Sequence, residues 1–153
     1  MVRNEYFLIG ENDVEQLPSS LALLFSLSAT VGKLSKKADR ALGVHGISLS
    51  EFMVLHHLHY AQNQVMSRTE LADAVNLTAS GVTRLLIPME KIHLVEKEKN
   101  NRDARVSLVK LTFTGRDIYK YAFLSCKNTF DEVVNDISPK QLSTVLDVLK
   151  KLS

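Results

Sequence analysis

Cysteine occurs once in the 153 residues, as Cys126. The chain therefore cannot close an internal disulfide or build a multi-cysteine metal site, which fits a reducing, cytoplasmic setting. Glycine and proline are also scarce, six and three, which excludes a collagen-like repeat. With 45% hydrophobic and 24% charged residues the composition is that of an ordinary folded domain. No uninterrupted apolar run approaches the roughly 18 residues of a membrane span, and residues 1–10 lack the basic-then-apolar order of a secretory leader, so no membrane partner is expected. A large excess of one charge is missing too. The 19 Lys plus Arg against 17 Asp plus Glu leave +2, far below what an evenly basic nucleic-acid binder would carry.

The near-neutral total conceals an uneven distribution. Residues 1–32 carry a net −3, 33–50 carry +3, 51–83 carry −2, 84–116 carry +4, and 117–153 are balanced. Charge runs are commonly solvated faces, so their meaning depends on the elements they fall on.

Those elements are mainly helical. Leu21, Leu24, Ser28, Val31, Leu34, Ala38 and Leu42 recur every 3.5 to 3.6 residues, which predicts one long helix over 18–42. The acidic, aperiodic residues 1–17 before it read as a mobile arm. Ser48 with Glu51 and Ser67 with Glu70 have the spacing of capping boxes, in which a serine hydroxyl and a glutamate satisfy free amides at a helix start. The first opens a helix with Phe52, Leu55, Leu58 and His59 inward, ending near Gln62. The second opens a short helix, and after Asn76 and Leu77, Thr78 caps another with Val82, Leu85, Leu86 and Met89 inward. So short a connection between two helices predicts a helix-turn-helix corner. From Val95 the period becomes two, through a polar turn at 100–104 and again over 105–111, which predicts a hairpin with a basic tip. Helix restarts at Thr112 with Gly115 or at Thr114 with Asp117, carrying an apolar stripe from Ile118 to Ile137. Ser138, Pro139 and Gln141 open a last helix.

This order, with Ile47, Ser48, Leu49, Ser50, Glu51 and Phe52 before a helix, the corner over 67–91, Asp103 and Arg105 followed by Leu111 and Thr112, and then Gly115 and Arg116, resembles the MarR family of bacterial transcription regulators. The resemblance covers roughly residues 20–152 and implies a mainly α fold with a short β-hairpin wing. It implies one domain over 18–153, in which 47–115 form a winged helix-turn-helix and 18–46 and 116–153 form dimerisation helices. It further implies a homodimeric regulator, by expectation a repressor, that binds double-stranded DNA and answers to a small aromatic or anionic effector, without another cofactor. The apolar stripes of the first and last helices support the dimer independently, since a chain of this length would struggle to cover them alone.

If Val82, Leu85, Leu86 and Met89 face the core, the 3.6 period turns Ala79, Ser80, Thr83 and Arg84 outward, on a small, hydroxylic and basic face near the capping Thr78. Arg84 can reach guanine or a phosphate, and Ser80 and Thr83 can bond either. At the hairpin tip Arg102 and Arg105 flank Asp103. A guanidinium there could enter a narrow minor groove while the carboxylate holds it extended. The residues alone do not choose between the two arginines, whereas the resemblance assigns Arg105 to the groove and Asp103 to its orientation. Lys97, Lys99 and Lys110 would neighbour phosphates, and Ser67, Arg68 and Thr69 could hold one on free amides. Pro88 should bend or tighten the recognition helix near its end.

Other chemistry is less well supported. His56 and His59 stand one turn apart beside His57, yet no carboxylate or cysteine lies nearby in sequence to complete a zinc site, so buried or interface histidines are expected. Cys126 falls on an apolar stripe, which favours packing over redox sensing. No nucleophile sits beside a base, so no enzyme is expected. A protein-binding winged module would call for an apolar wing tip, and residues 102–105 are charged.

Overall fold

The computed structural model describes residues 17–99 and 106–152, which fall into two compact units divided between Leu34 and Ser35. Helix α1, Ser19–Gly43, contributes its first two thirds to one unit and its last turns to the other. In the first unit Leu21, Leu23, Leu24, Phe25 and Val31 are all exposed.

The second unit contains the core. The capping box of Ser48 and Glu51 opens α2, Leu49–Tyr60, with both reciprocal bonds formed. A 3-10 turn, Gln62–Gln64, leads into strand β1, Val65–Ser67, and the second capping box then opens α3, Arg68–Ala74. Asn76 takes a left-handed conformation, φ 52°, which asparagine tolerates better than most residues. Thr78 caps α4, Ala79–Lys91, by accepting a bond from the Gly81 amide. Strands β2, Val95–Glu98, and β3, Leu108–Leu111, follow, then α5, Phe113–Val133, and α6, Pro139–Leu152. The Ser138 and Gln141 pair closes over the start of α6 as expected.

The hairpin has a third strand that the sequence pattern does not announce. β1 pairs antiparallel with β3 opposite β2, giving the order β1-β3-β2. Leu55, Leu58, Leu71, Val82, Leu86, Met89, Val95 and Val109 are fully buried together, so α2, the corner helices and the sheet share one core. Tyr119, Ala122 and Cys126 seat α5 against it. The expected stripe on α5 is shorter in fact, because Phe123 and Ile137 are exposed. On α6 Val145, Leu146, Val148, Leu149 and Leu152 are exposed, an apolar face that the second unit does not cover. No helix among the described residues is long and apolar enough to cross a membrane.

Candidate nucleic-acid interface

α3 and α4 form the corner, and the core fixes how α4 is turned. Val82, Leu86 and Met89 are buried, so Thr78, Ala79, Ser80 and Arg84 face outward, with Thr83 half-buried beside them. The outward groups differ in what they leave free. Thr83 Oγ1 donates to the Ala79 carbonyl at 2.9 Å, and Ser80 Oγ shares a 3.1 Å bond with Thr78 Oγ1, which already accepts from the Gly81 amide. Arg84 makes no ion pair or hydrogen bond among the described residues. It is therefore the side chain on this face whose donors are all uncommitted. Pro88 does not end the helix, which continues to Lys91. The proline is exposed, so solvent can reach the Arg84 carbonyl that loses its usual donor.

At the start of α3 the expected free amides are largely spent. The Ser67 amide donates to Glu70 Oε2 at 2.7 Å, the Glu70 amide to Ser67 Oγ at 3.1 Å, and the Arg68 amide to the Ser107 carbonyl at 3.1 Å. These bonds to Ser67 hold the Glu70 carboxyl below its ordinary range. A carboxylate thus occupies the place proposed for a phosphate, and any contact there falls to side chains and to Thr69.

On the wing, Lys110 lies 3.1 Å from Glu98 and 3.7 Å from Glu96, and its ammonium pKa is raised, Glu98 being the main cause. It is a cross-strand partner of acids more than a free phosphate contact. Lys97 is 66% exposed and lies 3.5 Å from Glu90, while Lys99 is exposed. Arg102, Asp103 and Arg105 lie outside the described residues.

A separate feature lies between the last turns of α1, α2 and α5, where a cavity of about 490 Å³ is lined by Phe52, Met53, His56, His57, Phe123 and Cys126 among others. His56, in this lining, has Nδ1 2.9 Å from the Tyr119 hydroxyl, and His45 Nε2 is 2.8 Å from Ser125 Oγ, polar links to α5 from α2 and from the turn after α1. Burial, with His57 and His59 close by, holds His56 below its ordinary pKa, and burial next to Tyr60 pushes Tyr119 up to about 12. Burial also raises the Cys126 thiol, so it is a poor nucleophile at neutral pH. Among the described residues no three His, Cys, Asp or Glu are grouped to hold a metal.

A sequence model of the MarR family matches residues 47–107, which span α2, the corner and β2. YdgJ of Bacillus subtilis, an HTH-type transcriptional regulator, is 28% identical over 107 residues, 70% of this chain and 64% of YdgJ. The chain thus spans just under two thirds of that relative. Over residues 47–107 the chain is similar to the MarR family. The fold agrees with that of solved members. Sco3205 of Streptomyces coelicolor, a MarR family regulator crystallised with DNA, superposes with a TM-score of 0.81 at 20% identity, covering 93% of this chain and 91% of that one. The organohalide-sensing regulator RdhR, crystallised with 2,4-dichlorophenol, gives 0.82 at 20% identity over 97% and 87%.

The corner helices α3 and α4 and the strands β2 and β3 thus correspond in fold to a winged helix-turn-helix. One residue of the corner escaped sequence reasoning. Glu90, near the end of α4, contacts both Arg68 and Lys97. No periodicity or motif marks it, because its partners come from two other elements.

Proposed function

We propose that this chain is a dimeric MarR-family transcription repressor that reads a pseudo-palindromic operator and is released by a small aromatic or anionic molecule. The single observation that carries the reading is the outward face of α4. The core turns Ala79, Ser80, Thr83 and Arg84 out together, with Arg84 unpaired at the end of the helix that can approach base edges. Small residues admit the backbone to the major groove, and the arginine supplies the bidentate donor that guanine favours. In this reading Lys97 and Lys99 neighbour phosphates, as do Ser67, Arg68 and Thr69 through their side chains. Arg105, oriented by Asp103 and accompanied by Arg102, enters the minor groove. Residues 47–115 are the DNA-binding part, and 18–46 and 116–153 supply the dimer helices. The exposed apolar faces of α1 and α6 are what a second copy would cover.

The cavity against α2 and α5 is the effector site in this scheme. Its size is within the ordinary range for small ligands. Its lining is aromatic, and its helix α5 leads directly into the wing. A ligand that binds better to one spacing of the two winged heads shifts their population away from the operator.

The test is a titration of duplex from the gene's own upstream region at several salt concentrations, against a scrambled duplex. Tight, sequence-selective and steeply salt-dependent binding is expected, and Arg105→Ala should weaken it and reduce the salt slope by about one. If no duplex binds at low salt the reading fails.

A further inference from the structure

Glu90 places a carboxylate between two cations of the face proposed to meet DNA. Its carboxylate lies between cations from two other elements, with Oε1 3.4 Å from Arg68 Nη2 at the start of α3 and Oε2 3.5 Å from Lys97 Nζ on β2. The Glu90 and Arg68 side chains are 24% and 27% exposed, and Lys97 is 66% exposed. Arg68 Nε is buried without an acceptor among the described residues. The arginine is thus held at the tip of its guanidinium, and the lysine is held from a largely solvated position. Both distances are long for charge-assisted bonds, and so both pairs are exchangeable.

We propose that Glu90 is a positioning and selectivity residue for DNA binding. It ties the wing strand to the two corner helices and keeps Arg68 and Lys97 from indiscriminate phosphate contact. The inference rests on this face being the DNA interface. Phosphate contacts supply nearly all non-specific binding, whereas a specific site adds base contacts. A phosphate approaching Arg68 or Lys97 must displace the carboxylate and tolerate its charge. On the operator, base contacts through α4 set a register in which the two cations neighbour phosphates without leaving Glu90. DNA held by phosphates alone draws them off it, so the penalty falls mainly on the wrong sequences. The same carboxylate bridges α4 and β2, the elements proposed to meet adjacent grooves.

The experiment uses the full chain with Glu90→Gln, which keeps the shape and an oxygen acceptor but removes the charge. Binding to upstream and scrambled duplexes is followed across a salt series, alone and combined with Lys97→Gln. The expected result is roughly tenfold tighter binding to the scrambled duplex with a salt slope steeper by about one to two. Upstream binding should gain less, so selectivity falls. Lys97→Gln should cost little in the parent and more in the Glu90→Gln background, which is a coupling that a merely structural contact would not give. Equal gains on both duplexes would overturn the selectivity role, and so would an unchanged scrambled affinity and slope in a variant with a normal thermal transition. If Glu90→Gln fails to fold, Lys97→Gln alone decides. A loss of scrambled binding and slope as large as that expected for an uncommitted phosphate contact would refute the restraint, and a small loss would support it. If the parent binds neither duplex, the interface reading itself fails and this inference with it.

Discussion

Gly115 stands so close to Leu94 that a Cβ on the glycine would lie 2.0 Å from the Leu94 carbonyl oxygen and 2.9 Å from its carbon. The neighbour is backbone at the entry to β2 and cannot step aside as a flexible side chain could. Thr112 reinforces the same joint. Its Oγ1 accepts the Gly115 amide at 2.9 Å and donates toward the His93 and Leu94 carbonyls at 2.6 and 3.0 Å. Gly115→Ala should cost roughly 2–4 kcal/mol of stability, read from the urea midpoint. Thr112→Ala should cost about 1–2 kcal/mol and Thr112→Ser much less.

The bonding on α4 separates residues that sequence alone treats alike. Because the Thr83 hydroxyl is committed to the Ala79 carbonyl, Thr83→Val should change operator affinity by less than about 0.5 kcal/mol. Arg84→Ala should lose about 1–3 kcal/mol on the operator and relax the base preference at one position of each half-site. Competition binding with single-base operator variants separates the two outcomes.

The exposed leucines of α6 give a test of assembly that leaves the winged corner untouched. Leu146→Glu with Leu149→Glu places two charges on the apolar face and should shift the protein toward monomer in sedimentation equilibrium. Operator affinity should fall with it, because two linked half-site contacts become separate binding events. Both side chains are exposed, so the helical signal of the monomer should survive.

Acid should weaken the seam between α2 and α5. The folded state holds His56 below the value of 6.5 that it takes when unfolded, mainly through burial and then through His57 and His59. The unfolded chain therefore takes up the proton first. The contribution is fully present above about pH 6.5 and is lost as the pH falls from there through the folded value. Urea midpoints should fall between about pH 7.5 and 5.5, and His56→Gln, which can still meet the Tyr119 hydroxyl, should flatten that part of the curve.

Legibility in the sequence followed the range of each interaction. The three serine caps were readable because donor and acceptor lie three residues apart, and all three form. The choice between Thr112 and Thr114 as the cap of α5 stayed open because both have a hydroxyl at a workable spacing. The structure selects Thr112, whose hydroxyl also reaches carbonyls on another element. β1 was missed because three residues show no period and their partner strand lies far along the chain. Phe123 was expected inward on periodicity, which fixes the side of a helix but not whether anything covers it. Among the candidate DNA-contact residues, the outward face of α4 was legible from the buried face opposite. The Arg68 amide, committed to the Ser107 carbonyl, and the Glu90 bridge were not, since each depends on where a distant segment returns.

Only Thr112 stands between the last residue of β3 and the first of α5, and its hydroxyl fastens that junction to the His93 carbonyl just beyond α4. A connection with no slack works as a crank. Helix α5 has 21 residues and is therefore about 30 Å long. A tilt of about 5° at this joint then separates the far end of the helix from its former position by about 3 Å. That is the length of a hydrogen bond, so in the proposed scheme a small molecule that wedges α5 by a few degrees changes the offset between the winged corner and the far end of the helix by a whole contact.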